Sequence, residues 1–486
     1  MVPLNLNRIL ISVLILLTFI SVVIADMDMN EQEGGEEHMD HSSHNPKLKL
    51  EPYMHAGSKS FHWICSIIFL MLIPSIGTAL SFANKYVLSI SVQIICAIYA
   101  VIDVLFLRFN DMNDHENRTS RGTAWFLGFF YCILLFFGSI ASSSNLYFNE
   151  DGEGSTNNNN NIQKKFHWIT ILGKNTIGLI YKILSLLIVI CGFIRCSLAP
   201  VALLGFCYDS HTGQCNAHGI MGFSFIIYGF VYSLVLVIPW LRRGDGSQYT
   251  QDFYDSIIMT LWGIVNTFTE HRWGREGWSM GDYQHTSMGI VWWAGGCLGI
   301  YLSRNGKRTF IPSLLLIFTG YSMFEHTQLL LISTKVHSMF GIVLMFGGFF
   351  RIIEISFILN DEKCDKSNDK IFSFQYLPAL ALIESGILFM GANEEQMQLI
   401  HDLGADHSSY ILVLTSASFL IFLWFLMILE FYLKLLGYTS SGNGSGRRLN
   451  LRDYESLSNG QQQYQQEGPV TEFELDDLSD NEIQHN

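Results

Sequence analysis

Long apolar runs recur along most of this chain and leave it few folds. Eleven stretches of roughly helix-spanning length stand near Phe61–Ala83, Tyr86–Leu107, Gly122–Ala141, Thr176–Ala199, His218–Leu241, Phe253–Thr269, Gln284–Leu302, Phe310–Ile332, Val336–Phe357, Tyr376–Met390 and Ser409–Leu433. A bilayer core accepts about 20 apolar residues per helix, and only helices or closed barrels satisfy their own backbone there. The chain therefore reads as an all-α polytopic membrane protein. Composition agrees: 15% of its 486 residues are charged, against about a quarter in soluble domains. The net charge of −14 lies in the tails and one loop, and no basic face for nucleic acid is present.

The runs divide the chain. Residues 1–25 carry Arg8, an apolar stretch and Val23-Ile24-Ala25, the pattern of a secretory signal peptide. Residues 26–60 form an acidic, His-bearing leader too polar to fold alone. Three helices over 61–141 make an N-terminal module. An acidic, Asn-rich loop at 142–175 leads to a linking helix and loop at 176–217. Seven helices fill 218–436, and a Gly/Ser-, Gln- and acid-rich tail follows at 437–486.

Basic residues in short loops set orientation. Lys164, Lys165, Lys174, Arg242, Arg243, Arg304, Lys307 and Arg308 fall on one side, with the tail. This predicts a lumenal N-terminus and a cytosolic C-terminus in a secretory-pathway membrane such as the endoplasmic reticulum, vacuole or plasma membrane. The sequon at Asn117 and the pair Cys207 and Cys215 then fall in lumenal loops, where a glycan and a disulfide are compatible. The sequon at Asn443 falls in the cytosol.

Ionisable side chains in spanning helices are costly, so they mark function. They cluster in Glu270-His271-Arg272-Trp273, Asp282-Tyr283-Gln284-His285, Glu325-His326 and Lys335-Val336-His337. His62, His218, His285 and His337 open helices on the predicted lumenal side, His271 closes one, and His326 falls about six residues inside its helix. If the helices of the C-terminal half bundle, the imidazoles of His218, His271, His285, His326 and His337 converge at one depth. With Glu270 and Glu325 they form a ligand set for zinc, copper or iron. Pairs of facing histidines can also clamp a b-type haem, and His62 and His337 are the candidate cofactor-binding residues. Arg351 and Glu354 stand three apart and pair on one face. Glu384 lies deep without a local cation, a candidate proton-binding residue. Lys182, Arg195 and Asp103 lie near helix ends and are expected to snorkel. Glycines at 289, 295, 296, 299, 341, 347 and 348 permit close helix contact. No P-loop, nucleophile elbow, Cys-x-x-Cys or HExxH is present.

These residues carry a resemblance. Ala217-His218-Gly219, Thr269-Glu270-His271, Asp282-Tyr283-Gln284-His285-Thr286-Ser287-Met288-Gly289, Arg351-Ile352-Ile353-Glu354-Ile355 and Phe374-Gln375-Tyr376-Leu377-Pro378 resemble the fungal YTP family of membrane proteins, over roughly 215–431. His218-Gly219, Gln284-His285, His326 and His337 are also similar to the transmembrane protein 45 family. The resemblance implies a seven-helix unit and brings no reaction. It also brings a loose likeness to transmembrane b-type cytochromes, which need histidines toward both faces; here almost all lie toward one. A redox carrier, a metal-dependent membrane hydrolase acting on lipid, and a transporter or scaffold remain open. The lipid bilayer is the one partner implied.

Overall fold

In the computed structural model of the protein, the residues described are 56–111, 116–149, 174–207, 212–244, 247–269, 277–278, 280–326, 328, 330–359, 371–441 and 445–448. The expected signal peptide and nearly all of the leader lie outside them. So do Glu270, His271, Asn443 and the tail beyond Arg448.

All eleven expected passes are helices. They are α1 (Gly57–Phe82), α2 (Tyr86–Phe106), α3 (Arg118–Asn149), α4 (Lys174–Leu204), α5 (Thr212–Val237), α6 (Gln251–Thr269), α7 (Met280–Ser303), α8 (Ile311–Phe324), α9 (Leu331–Leu359), α10 (Leu377–Met390) and, after the short helix α11 (Glu394–Asp402), α12 (His407–Leu435). Eight are long and apolar enough to cross a bilayer: α1–α5, α9, α10 with its leading 3-10 turn, and α12. The remaining three carry the polar clusters (α6 and α7) or are short (α8). The chain is a polytopic helical membrane protein.

Three boundaries differ from expectation. Helix α3 runs on to Asn149, into the stretch read as a disordered loop. Helix α8 stops at Phe324 rather than near 332, because Glu325-His326-Thr327-Gln328 offers no apolar surface to bury. The tail opens with an antiparallel hairpin pairing Tyr438–Ser441 with Ser445–Arg448. Tyr438 packs against Trp240, with ring centroids 6.1 Å apart.

Two units result. Helices α1–α4 share one core around Leu70, Tyr131, Leu134, Tyr181 and Ile188. The helix expected to link the units is thus the fourth member of the first. Helices α5, α8, α9, α10 and α12 share a second core around Phe340, Leu344, Leu382 and Ile383, with Met259 of α6 in it. The indole N–H of Trp424 on α12 donates to Ser75 Oγ of α1 (3.1 Å), joining the units.

Small residues set the helix spacing. An added Cβ at Gly320 would lie 2.5 Å from Gly341 O, and one at Gly341 2.3 Å from Gly320 O, so α8 and α9 touch backbone to backbone. Pro74 shapes α1. Proline has no N–H, so the carbonyl four residues back loses its partner. The ladder shifts to a π turn over Ile67–Leu72, where Ile73 N donates to Ile68 O. The released Leu70 carbonyl points at α4, and the residue facing it is Gly192: a Cβ there would stand 1.7 Å from Leu70 O.

Candidate functional site

Four imidazoles meet near one end of the second unit. His285 comes from the first turns of α7, His326 from just past the end of α8, His337 from the start of α9 and His218 from the second turn of α5. Ring centroids run 6.1 Å from His285 to His326, 5.9 Å on to His337 and 6.0 Å on to His218. They form a row, with His285 and His326 half-buried and His337 only 5% exposed. The expected convergence is present for these four. His326 stands past its helix, not six residues inside it, because α8 ends early.

The row has a defined proton arrangement. His218 Nδ1 lies 2.9 Å from Gln214 O, and His337 Nδ1 lies 2.9 Å from Ser333 O. A carbonyl only accepts, so each Nδ1 carries the proton and each Nε2 keeps its lone pair. His326 Nδ1 meets Gln284 Oε1. That amide is oriented by its own donor: Gln284 Nε2 donates to Ser322 O (3.1 Å) and to Ser322 Oγ (3.2 Å). Oε1 therefore accepts from His326, whose Nε2 is again the basic nitrogen. Burial first, and then the neighbouring His285, hold the His326 imidazole below its ordinary range and favour the neutral form. Metal-ligating histidines show this arrangement, one nitrogen donating to an oxygen and the other free for the ion. The aromatic floor is Phe389, stacked on His218 at 4.8 Å and edge-on to His337 at 6.5 Å.

The rest of the expected set is placed differently. Glu325 caps the end of α8 and is exposed. Among the described residues no three histidine, cysteine or carboxylate side chains are grouped closely enough to hold an ion by themselves. His62 belongs to the first unit. Its Nε2 donates to Asp103 Oδ1 (2.7 Å) and its ring stacks on Phe109 at 4.0 Å. His62 and His337 therefore lie in different units. Cys207 and Cys215 are bonded, their Cα atoms 5.7 Å apart, and Asn393 Nδ2 donates to Cys215 Sγ (2.8 Å). Asn117 is 9% exposed and accepts from Ser120 N at the start of α3, so its amide serves as a helix cap. Thr415 Oγ1 donates to Glu384 Oε1 (2.8 Å).

Asp103 and Arg195 do not snorkel. They are 1% and 2% exposed, and Arg195 Nε and Nη2 each reach the Asp103 carboxylate at 3.2 Å. Such a residue near a helix end reads as interfacial until its partner, 92 residues away, is known. Lys182 does reach outward, to Asn84 Oδ1 (2.8 Å). Arg351 and Glu354 pair as expected, at 2.6 Å. They belong to a larger buried network that the sequence did not reveal. Arg351 also reaches Asp252 Oδ1 (2.9 Å), Arg308 reaches Asp252 Oδ2 (3.4 Å), and Gln375 Nε2 donates to Glu354 Oε1 (3.0 Å). Asp255 accepts from Tyr232 O–H (3.0 Å). This network lies about 21 Å from the histidines, fourteen residues along α9 at 1.5 Å each.

Residues 191–433 match the family model described as "Protein YTP1-like, C-terminal". Over 98% of its length the chain is 48% identical to Protein YTP1 of Saccharomyces cerevisiae, covering 95% of that protein. The chain belongs to the YTP1-like family. Two more distant relatives share part of it. One is the uncharacterized membrane protein YCR061W of Saccharomyces cerevisiae, 23% identical over 32% of this chain and 28% of that protein. The other is the uncharacterized membrane protein C3B8.06 of Schizosaccharomyces pombe, 26% identical over 38% of this chain and 46% of that protein. No solved structure matches. The YTP1-like match spans all four histidines of the row, together with the network of Asp252, Arg308, Arg351 and Glu354. His62 and Asp103 lie outside it.

Proposed function

We propose that this is a metal-handling membrane protein of the secretory pathway, with the histidine row on the lumenal face taking up a transition-metal ion. One observation carries the reading. In three of four adjacent imidazoles the Nδ1 proton is engaged by an oxygen acceptor, and Nε2 is left basic. The three tautomers agree although two are set by carbonyls of the histidine's own helix, at Gln214 and Ser333, and one by a side chain of another helix, Gln284. The row runs from half-buried His285 and His326 through buried His337 to half-buried His218, so its rings reach from the surface into the core. The loop charges support placing this end in the lumen.

The test uses the purified full chain in detergent, titrated with Zn(II), and with Cu(I) under reducing conditions, each against a chromophoric competitor. His337→Ala removes the central ring of the row and is expected to weaken binding at least tenfold, with the melting curve of the metal-free protein unchanged in shape. Equal affinity in wild type and His337→Ala, or no retained ion of either kind, refutes the reading.

A further inference from the structure

Each of three row histidines has a methionine one helical turn deeper on its own element. Met221 follows His218 by three and Met288 follows His285 by three, on helices that run inward from the row. Met323 precedes His326 by three, on α8, which runs outward to the row. Residues three apart share a helix face, and three residues rise 4.5 Å. The opposite chain directions and the opposite order of the His and Met positions thus place all three methionines on the same, deeper side. Met323 is 5% exposed, and Met221 and Met288 pack against the same core cluster. Another methionine, Met390 of α10, packs beside α5. Gly222, next to Met221, lies so close to Met390 that an added Cβ would stand 2.3 Å from its Cγ.

The imidazole tier has a shortage that this tier answers. No three histidine, cysteine or carboxylate ligands group together among the described residues, so the row offers only neighbouring pairs. Two imidazoles on one tetrahedral ion have centroids about 5 Å apart, and in line across an ion about 6 Å, given metal–nitrogen bonds near 2 Å. The measured 5.9–6.1 Å is of the size that an ion shared between two neighbouring rings requires. Zinc in protein sites asks for four ligands. Thioethers are soft ligands that select Cu(I) over Zn(II).

We propose that the site's ion is a soft monovalent one, Cu(I), held between neighbouring imidazoles and passed to a thioether tier formed by Met221, Met288 and Met323. This rests on the histidine row being a metal site and names the class of ion it takes. Binding involves no change of oxidation state, and the three methionines bring no charge with them.

The experiment measures Cu(I) and Zn(II) affinity by chelator competition for three forms of the full chain: wild type, the triple variant Met221→Leu/Met288→Leu/Met323→Leu, and His337→Ala. Leucine keeps the volume of methionine and removes the sulfur. The triple variant is expected to lose at least tenfold in Cu(I) affinity and nothing in Zn(II) affinity. If His337→Ala weakens Cu(I) binding but the triple variant does not, the thioether tier is overturned while the histidine site stands. If His337→Ala changes neither metal, both readings fail. Should the triple variant not fold, X-ray absorption of Cu(I)-loaded wild type decides: a sulfur neighbour of copper supports the tier, and nitrogen neighbours alone overturn it.

Discussion

The contact between the Leu70 carbonyl and Gly192 makes a prediction with a sign that a simple clash does not have. A Cβ at 192 would sit 1.7 Å from Leu70 O, whereas a carbon and a carbonyl oxygen rarely approach below about 3.3 Å. Gly192→Ala therefore forces α4 away from α1 by about 1.6 Å at that point. A gap of 0.5–1 Å already forfeits a quarter to a half of each dispersion contact, and Leu70, Ile188 and Cys196 beside it are all buried. The cost is about 3 kcal/mol, the upper end of the range for overpacked cores. Leu70 O points outward because Pro74 cannot bond it. Pro74→Ala restores an N–H at 74, draws that carbonyl back along α1 and makes room at 192. In a double-mutant cycle read by equilibrium unfolding in detergent, Gly192→Ala is expected to cost at least about 1.5 kcal/mol less in the Pro74→Ala background. Additivity within about 0.5 kcal/mol would refute the account, since independent sites add to that precision.

Three further outcomes follow from the two polar sites. Gln284→Leu removes the acceptor that fixes the His326 tautomer, and metal affinity is expected to fall about 10–100-fold, as for other outer-sphere partners, in the same competition titration. Arg195→Met leaves the buried Asp103 carboxylate without its cation and is expected to cost about 3–5 kcal/mol, whereas Arg195→Met with Asp103→Leu costs less than that single change; unfolding curves check the order. Burial holds His326 below its ordinary value of 6.5, so the unfolded chain binds the proton more readily. Its contribution to stability is thus fully present above pH 6.5 and is lost as pH falls below it, and the His326→Gln variant is expected to show a flatter melting temperature between pH 7.5 and 5.

The helices were legible because the hydrocarbon core dictates them: every one of the eleven apolar runs is a helix. The boundaries that moved are those where polar residues, not apolar ones, decide. Glu325-His326 ended α8 early, and the Ser-rich stretch after Ala141 continued α3 as helix. Arg351 and Glu354 were readable because a local pair needs only helix geometry. Asp252, Arg308 and Gln375 were not, since their partners are 99, 56 and 21 residues away. The meeting of four histidines could be expected, because consecutive helices present them at alternate ends. The shared tautomer could not: Gln214 and Ser333 supply it through their backbone carbonyls, and a carbonyl is invisible to residue type.

The two polar sites differ in a way that bears on their roles. In the network of Asp252, Arg308, Arg351 and Glu354, opposite charges face one another, and Gln375 satisfies a second oxygen of Glu354. A network whose charges are paired internally has little left to offer a ligand and resists the entry of ions. It ties α6, the loop before α8, α9 and the turn before α10 together at one end. The histidine row has the opposite character. Three of its four imidazoles have the Nδ1 proton engaged, toward the helix backbones and Gln284, and Glu325 is exposed. One end of the bundle is thus locked by charge pairing, and the other presents uncharged donors. Among the described residues no three histidine, cysteine or carboxylate side chains stand close enough to trap a cation there. That asymmetry fits a site that binds and releases, while the paired network keeps the far ends of the same helices fixed as it does so.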